Sequence, residues 1–212
     1  MTEIIRDQKI SLRLLTQQDR KLLLKWLSDK RLLNFWEGKS SVFDLDRIIK
    51  EFYSEEKFEI TRAIIEYNGK SIGYVQMYKL DEDMLNEYEY PLTDKVVYGI
   101  DQFIGEPEYW GKGIGTYFIK LVLNYLTKEK NAVIVILDPH SDNLRAIRCY
   151  EKVGFKKIKF LPKHELHDGE MVDCYLMEYT SHKNIPQTRI PTFPADKTKL
   201  NKSAIDLITP CL

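Results

Sequence analysis

The sequence predicts one α+β domain (mixed α/β), in which helices flank a single twisted and mostly antiparallel sheet. Two alternating polar and apolar runs are joined by Asn68-Gly69, a dipeptide typical of tight hairpin turns. A strand pattern, a long helical pattern and another strand pattern then follow one another at 96–137, which is the order of a crossover unit. The length of 212 residues supports one core without disulfides or metal.

The first half of the chain alternates short apolar patterns with loops. In order, it is predicted to contain a strand at 9–14, helices at 17–27 and 45–53, and strands at 60–67 and 71–78. The first helix is indicated by Leu23, Trp26 and Leu27, which lie at helical spacing. A loop with Phe35-Trp36-Glu37-Gly38 separates the two helices.

The second half continues the same alternation and then changes character. It is predicted to contain strands at 96–104, 132–137, 155–160 and 173–179, and helices at 117–128 and 143–152. From Ser181 onward, prolines interrupt polar residues and neither the helical nor the strand period persists. We therefore expect a domain at 1–180 and an irregular or disordered tail at 181–212, which is either a linker or not native.

Composition excludes several classes of protein. The 32 basic and 32 acidic residues balance, so no nucleic acid and no anionic membrane is indicated as a partner. The sequence has no 18-residue apolar run and no signal-peptide core, and its three cysteines follow no pattern, which predicts a cytoplasmic protein with reduced thiols. His164 and His167 flank Glu165, but without a second ligand cluster the prediction is no metal. The sequence does not distinguish a monomer from a dimer.

A glycine-rich turn at 109–116 lies between a predicted strand and the long predicted helix. Such a turn leaves backbone N–H groups at the positive end of the helix dipole, which suits a phosphate or pyrophosphate. A Walker A motif is absent, and the glycines run Gly-x-Gly-x-Gly, which is the wrong spacing for a dinucleotide fingerprint. A glycine turn without a ligand is the alternative at this point.

A second motif follows one strand and one helix later. Asn-x-x-Ala-x-x-x-Tyr-x-x-x-Gly-Phe runs from Asn143 to Phe155. Together with Gly113-Ile114-Gly115, it resembles the motifs of the GCN5-related N-acetyltransferases (GNAT), except that Trp110 stands where Arg or Gln is usual. The resemblance implies the GNAT fold and acetyl-CoA as co-substrate.

Further segments at 98–107, 136–139 and 143–150 are similar to the aminoglycoside 6′-N-acetyltransferases, including the acetylating half of the bifunctional acetyltransferase–phosphotransferase. The similarity covers roughly 10–179. It implies transfer of acetyl from acetyl-CoA to the 6′-amine of aminoglycosides such as kanamycin, which confers antibiotic resistance. Acetylation of another small amine or a peptide N-terminus, or a non-catalytic acetyl-CoA-binding module, are the alternatives.

The resemblance also implies residue roles. Asp101 corresponds to the aspartate that acts as a base, directly or through water, although it would otherwise only anchor a cationic substrate. Tyr150 corresponds to the tyrosine that protonates the departing thiolate, with simple packing as its alternative. The expected acetyl-CoA contacts are Phe103, Ile104, Gly111, Lys112, Gly113, Ile114, Gly115, Thr116 and Asn143.

The expected substrate contacts combine acidic and aromatic residues. The segment at 81–94 is acidic without Lys or Arg, and its Glu87, Tyr88 and Glu89 would suit a polycationic sugar, although a solvated loop is the plain alternative. By resemblance, Asp138, Trp36 and Asp101 face the same aminoglycoside. Trp36 would otherwise pack near a helix cap.

Overall fold

The computed structural model describes residues 2–54, 58–91 and 93–181. The predicted tail lies outside the described residues except for Ser181. No helix in the described ranges is long and apolar enough to cross a bilayer.

Eight strands form one sheet. They are β1 (Glu3–Arg6), β2 (Ile10–Leu14), β3 (Ile60–Tyr67), β4 (Lys70–Lys79), β5 (Val97–Ile104), β6 (Ile134–Leu137), β7 (Lys156–His167) and β8 (Glu170–Thr180). Their spatial order is β1-β2-β3-β4-β5-β6-β8-β7. The β5–β6 pair is parallel and the other neighbours are antiparallel. The sheet is therefore mixed and mostly antiparallel, which confirms the predicted fold class.

Six helices pack on the sheet. They are α1 (Arg20–Trp26), α2 (Lys30–Leu33), α3 (Leu45–Phe52), α4 (Glu82–Glu87), α5 (Ile114–Glu129) and α6 (Leu144–Val153). One buried cluster joins the sheet to α5 and α6, and a second joins it to α1, α2 and α3. Neighbouring residues of β4 show why: Val75 belongs to the first cluster and Tyr74 to the second, since strand side chains alternate between faces.

Several elements differ from those predicted. Strand β1 and the short helices α2 and α4 were not predicted, and α5 begins at Ile114 rather than at 117. Helix α4 forms inside the acidic segment because the Asp81 side chain accepts a hydrogen bond from Met84 N at 3.0 Å, which caps its first turn. Exposed acids then cover the outer side of the helix, while Leu85 is buried.

The last hairpin is longer than predicted. Strand β7 continues past Phe160, because a register shift between Leu161 and Glu165 accommodates the proline within it. The turn at Asp168 and Gly169 has positive φ angles of 53° and 83°, which fits an Asp-Gly hairpin. This extension brings the end of β7 over the carboxyl ends of β5 and β6.

Strands β5 and β6 pair over a short distance and then separate. Their parallel pairing joins Val97–Gly99 to Ile134–Ile136, while β5 continues to Ile104. Leu80 N donates to Val97 O and Gly105 N donates to Ile72 O, so the odd-numbered residues of β5 direct their main chain to β4. The even-numbered residues from 100 to 104 therefore direct theirs into the gap beside β6.

Candidate active site

A cleft of about 390 Å³ lies where β5 and β6 separate. Six residues predicted from the sequence line it together: Trp36, Tyr88, Asp101, Asp138, Asn143 and Tyr150. Sequence reasoning missed several other lining residues, among them Glu37, Gln102, His140, His164 and Glu165. The cleft thus collects four carboxylates, and its described lining includes no Lys or Arg.

Asp101 is held by a short hydrogen-bond chain from β4. Gln76 Nε2 donates to Asp101 Oδ2 at 2.7 Å, and Tyr74 donates its hydroxyl hydrogen to Gln76 Oε1 at 2.9 Å. The second bond fixes the amide so that its N–H points at the carboxylate. Burial raises the pKa of Asp101 from 3.8 to about 7, the charge of Asp138 adds to the rise, and the Gln76 bond opposes it.

Asp138, at the end of β6, is the second carboxylate of the cleft. Tyr88 donates its hydroxyl to Asp138 Oδ2 at 3.0 Å, and His164 Nε2 lies 3.2 Å from the same oxygen. The Tyr88 and His164 rings also contact each other, with centroids 5.4 Å apart. The bond to Asp138 raises the pKa of His164 above its usual 6.5, although burial lowers it. The contact with Asp138 thus favours the protonated form of His164.

Glu165 and His140 form the third pair. His140 Nε2 lies 2.9 Å from Glu165 Oε2, and this contact raises the pKa of His140. Cys174 joins them, so that an imidazole, a carboxylate and a thiol lie within 4.8 Å of one another. Burial raises the pKa of the Cys174 thiol well above its usual value, so in this structure the thiol form is favoured.

Tyr150 projects from α6 and is 5% exposed. Gln102 donates its side-chain N–H to the Tyr150 oxygen, so the hydroxyl hydrogen is not used in that bond. Burial raises the pKa of Tyr150 far above its usual 10, which keeps it protonated at any pH the protein tolerates. Tyr150 is thus a neutral O–H donor on the cleft wall.

The outer wall of the cleft is the loop of Phe35, Trp36 and Glu37. The Trp36 ring packs edge-on against Phe103, with centroids 5.0 Å apart. The turn of the β7–β8 hairpin holds this loop: Asp168 N donates to Glu37 O at 3.3 Å, and Asp168 Oδ1 accepts from Ser40 N at 2.7 Å. Two segments far apart in sequence thus close the rim.

The glycine-rich turn precedes α5. Gly113 is the N-cap residue, with φ of 75°, and Gly111 has φ of 72°. A Cβ at Gly113 would meet nothing within 4 Å, so the glycine is required for its left-handed backbone rather than for space. In the described structure no side chain caps this helix, which leaves the first-turn N–H groups of Ile114, Gly115 and Thr116 without a side-chain acceptor.

Three predicted contacts lie elsewhere. Glu89 is exposed and forms an ion pair with Lys159, and Glu87 is exposed on α4 outside the cleft lining. Both acids are exposed and lie outside the described lining of the cleft, and their contact with a substrate stays a prediction. Phe103 directs its main chain to β4 and its ring into the core, whereas Ile104 directs its main chain into the gap. The contacts of Phe103 and Ile104 with acetyl-CoA stay predictions.

The sheet separates beside a glycine-rich helix start without a side-chain cap, and the cleft at this place holds a half-buried carboxylate and a tyrosine. This arrangement suits an acyltransferase. Residues 16–162 match the acetyltransferase (GNAT) domain. The chain belongs to the GNAT acetyltransferase family, as its two sequence motifs predicted.

Similar proteins narrow this class. The aminoglycoside N(6′)-acetyltransferase type 1 of Klebsiella pneumoniae is 32% identical over 155 residues, which are 71% of this chain and 76% of that protein. A structure of AAC(6′)-Ib with ribostamycin and coenzyme A superposes with a TM-score of 0.65 at 26% identity, over 82% of this chain and 94% of that one. A further AAC(6′)-Ib structure, with coenzyme A and kanamycin, gives a TM-score of 0.63, also at 26% identity, over 81% of this chain and 94% of that one.

Proposed function

We propose that this enzyme transfers the acetyl group of acetyl-CoA to the 6′-amine of aminoglycoside antibiotics and thereby confers resistance. The observation that carries the proposal is the acidic cleft. Its described lining holds the carboxylates of Glu37, Asp101, Asp138 and Glu165 and includes no lysine or arginine. A polycationic sugar is complementary to such a wall, and Trp36 and Tyr88 offer rings to its faces. The similarity to aminoglycoside acetyltransferases supports the same substrate class.

Acetyl-CoA, the acyl donor, is bound mainly by main-chain groups. The diphosphate of acetyl-CoA binds the N–H groups of the glycine-rich turn, with Gly111 and Gly113 supplying the left-handed conformations. The pantetheine arm then lies in the gap beside β5, toward which Gln102 directs its main chain and Ile104 its N–H, while the Ile104 carbonyl accepts from Trp110. Asn143 caps α6 through its side-chain oxygen, which accepts from Ala146 N at 3.2 Å, and its amide nitrogen serves the arm. The thioester is then positioned near Tyr150.

Asp101 acts as the base, directly or through one water. With a pKa raised to about 7, it is partly ionised at neutral pH and accepts a proton readily from an ammonium group. The freed amine attacks the thioester carbonyl and forms the C–N bond. The C–S bond breaks, and the electron pair leaves on sulfur. Tyr150, held by Gln102, donates its hydroxyl proton to the departing thiolate. The acylated nitrogen then gives up its second proton, which restores the Tyr150 hydroxyl, and Asp101 releases the first proton to solvent.

The carboxylates of Asp138 and Glu165 also link the binding of a cationic substrate to the ionisation of Asp101. In the free cleft, Asp138 and Glu165 raise the pKa of Asp101 by repulsion. A polyammonium substrate neutralises these charges and so favours the ionised form of Asp101. Substrate binding therefore prepares the base.

Thiol release from acetyl-CoA tests the substrate class. We expect turnover with kanamycin and other aminoglycosides that carry a 6′-amine, and none with matched analogues that carry a 6′-hydroxyl. Spermidine and peptides with a free N-terminus are the comparison amines. Faster release with either of them than with kanamycin would contradict the proposal and favour another amine as the substrate.

The base assignment has its own test. Replacing Asp101 with Asn should lower kcat/KM about 100-fold or more, the usual range for removing a general base. The rise of kcat/KM with pH near 7 should disappear with it, because the group that titrates is gone. If the variant kept most of its kcat/KM and its pH profile did not change, Asp101 would only anchor the cationic substrate.

A further inference from the structure

The glycine-rich turn lacks the side chain that its motif usually carries. Trp110 stands where Arg or Gln is usual, and its indole Nε1 donates to Ile104 O at 2.7 Å. The ring is therefore fixed against the edge of β5, at the start of the turn. It contributes no charge toward a phosphate.

Arg145 returns a positive charge to this place. Its guanidinium carbon lies 4.5 Å from the centre of the Trp110 ring and 4.4 Å from the centre of the Phe35 ring. A guanidinium between two aromatic faces keeps a defined plane, which fixes the directions of its N–H groups. The two rings thus orient the donors of Arg145.

The position of this stack is at the border of two sites of opposite charge. Phe35 lines the acidic cleft, whereas Trp110 begins the turn that precedes α5. Arg145 itself lies in the first turn of α6, between Asn143 and Ala146, which both line the cleft. The positive charge of Arg145 repels a cationic acceptor and attracts the anionic end of the acyl donor.

We propose that Arg145 contacts the diphosphate of the acyl donor, and that the rings of Phe35 and Trp110 hold it there. This inference rests on the proposed use of acetyl-CoA. Arg145 supplies from α6 a side-chain contact that Trp110 does not supply from the turn. It also separates the donor phosphates from the carboxylates of the cleft. Because Phe35 adjoins Trp36 of the acceptor wall, one stack joins the two half-sites.

Kinetics with two donors test this role. In Arg145→Gln, kcat/KM for acetyl-CoA should fall about 10- to 100-fold, mainly through KM, since one charge-assisted hydrogen bond is lost. With acetyl-pantetheine, which has no phosphate, the variant and the wild type should agree within about twofold, because the thioester end is untouched. Arg145→Lys should recover part of the loss, since it keeps the charge but not the planar stack.

Arg148→Gln is the matched control, because Arg148 is exposed on the same helix, and its kcat/KM for acetyl-CoA should not change. Dephospho-acetyl-CoA keeps the diphosphate but lacks the 3′-phosphate, and Arg145→Gln should still impair its use. Normal use of this donor by the variant would place Arg145 at the 3′-phosphate and overturn the proposal.

If Arg145→Gln lost as much kcat/KM with acetyl-pantetheine as with acetyl-CoA, the stack of Arg145 on the two rings would have only a structural role, which would overturn the proposal. Wild-type enzyme that acetylates no amine from acetyl-CoA would instead refute the proposed function, so the two failures are distinguishable.

Discussion

The buried carboxylate of the cleft should weaken the fold that holds it. Burial and the charges of Asp138 and Glu165 raise the pKa of Asp101 from 3.8 to about 7, while in the unfolded chain it returns to its ordinary value. The folded protein thus holds a proton that the unfolded chain releases between these two pH values. The resulting stability is fully present below pH 3.8 and is lost as the pH rises through 7.

The magnitude follows from the shift. About three pKa units correspond to roughly 4 kcal/mol over the whole range, and the two units between pH 5 and pH 7 to about 3 kcal/mol. Asp101→Asn is neutral at every pH and lacks this dependence. The variant should therefore be more stable than the wild type near pH 8, and the difference should shrink by about that amount toward pH 5.

Urea unfolding of both proteins at pH 5, 6, 7 and 8 measures the difference in the free energy of unfolding. Asp46→Asn, which removes an exposed carboxylate on α3, is the control for the loss of one acid. Asp138→Asn should flatten the wild-type dependence in part, because Asp138 contributes to the shift. If the free energies of unfolding of Asp101→Asn and wild type differed by the same amount from pH 5 to pH 8, the reasoning would be refuted.

Three further outcomes are expected. Tyr150→Phe should slow single-turnover acetyl transfer about 10-fold or more, because the thiolate then leaves without a proton; an unchanged rate would remove its role as acid. His164→Gln should weaken the pH dependence of aminoglycoside Kd, since His164 loses its competing charge beside Asp138 as the pH rises through its raised pKa; parallel wild-type and variant curves would contradict this. Gly105→Ala should lower the free energy of unfolding by about 1–3 kcal/mol, because its Cβ would lie 2.2 Å from the Trp26 ring; unchanged urea unfolding would count against that packing argument.

The donor half of the site was predictable because its signals are local. Gly113 and Asn143 belong to motifs with fixed spacing, and the structure places both at helix starts, as those spacings require. Asp101 and Asp138 were found because each falls at a position that the resemblance marks on a strand. Their shared cleft follows from the βαβ crossover, which brings β5 and β6 side by side.

The acceptor half was only partly predictable because it is built by tertiary contacts. His164 and Glu165 lie beyond the predicted end of β7, where Pro162 suggested a break. The Asp168-Gly169 dipeptide, taken as a hairpin turn, would have extended the strand to them. By contrast, the acidic segment pointed to residues that a short helix exposes, since composition alone does not say which face of a helix meets the substrate.

The hydrogen bond between Ser40 N and Asp168 Oδ1 ties one part of the cleft rim to the turn of the β7–β8 hairpin. This part of the rim is remote in sequence from the turn before α5, and it includes neither Asp101 nor Tyr150. Under the proposed function, substitutions in this part of the rim alter which acceptors enter the cleft and leave the glycine-rich turn in place. The range of accepted substrates can therefore change without any change to Asp101 or Tyr150.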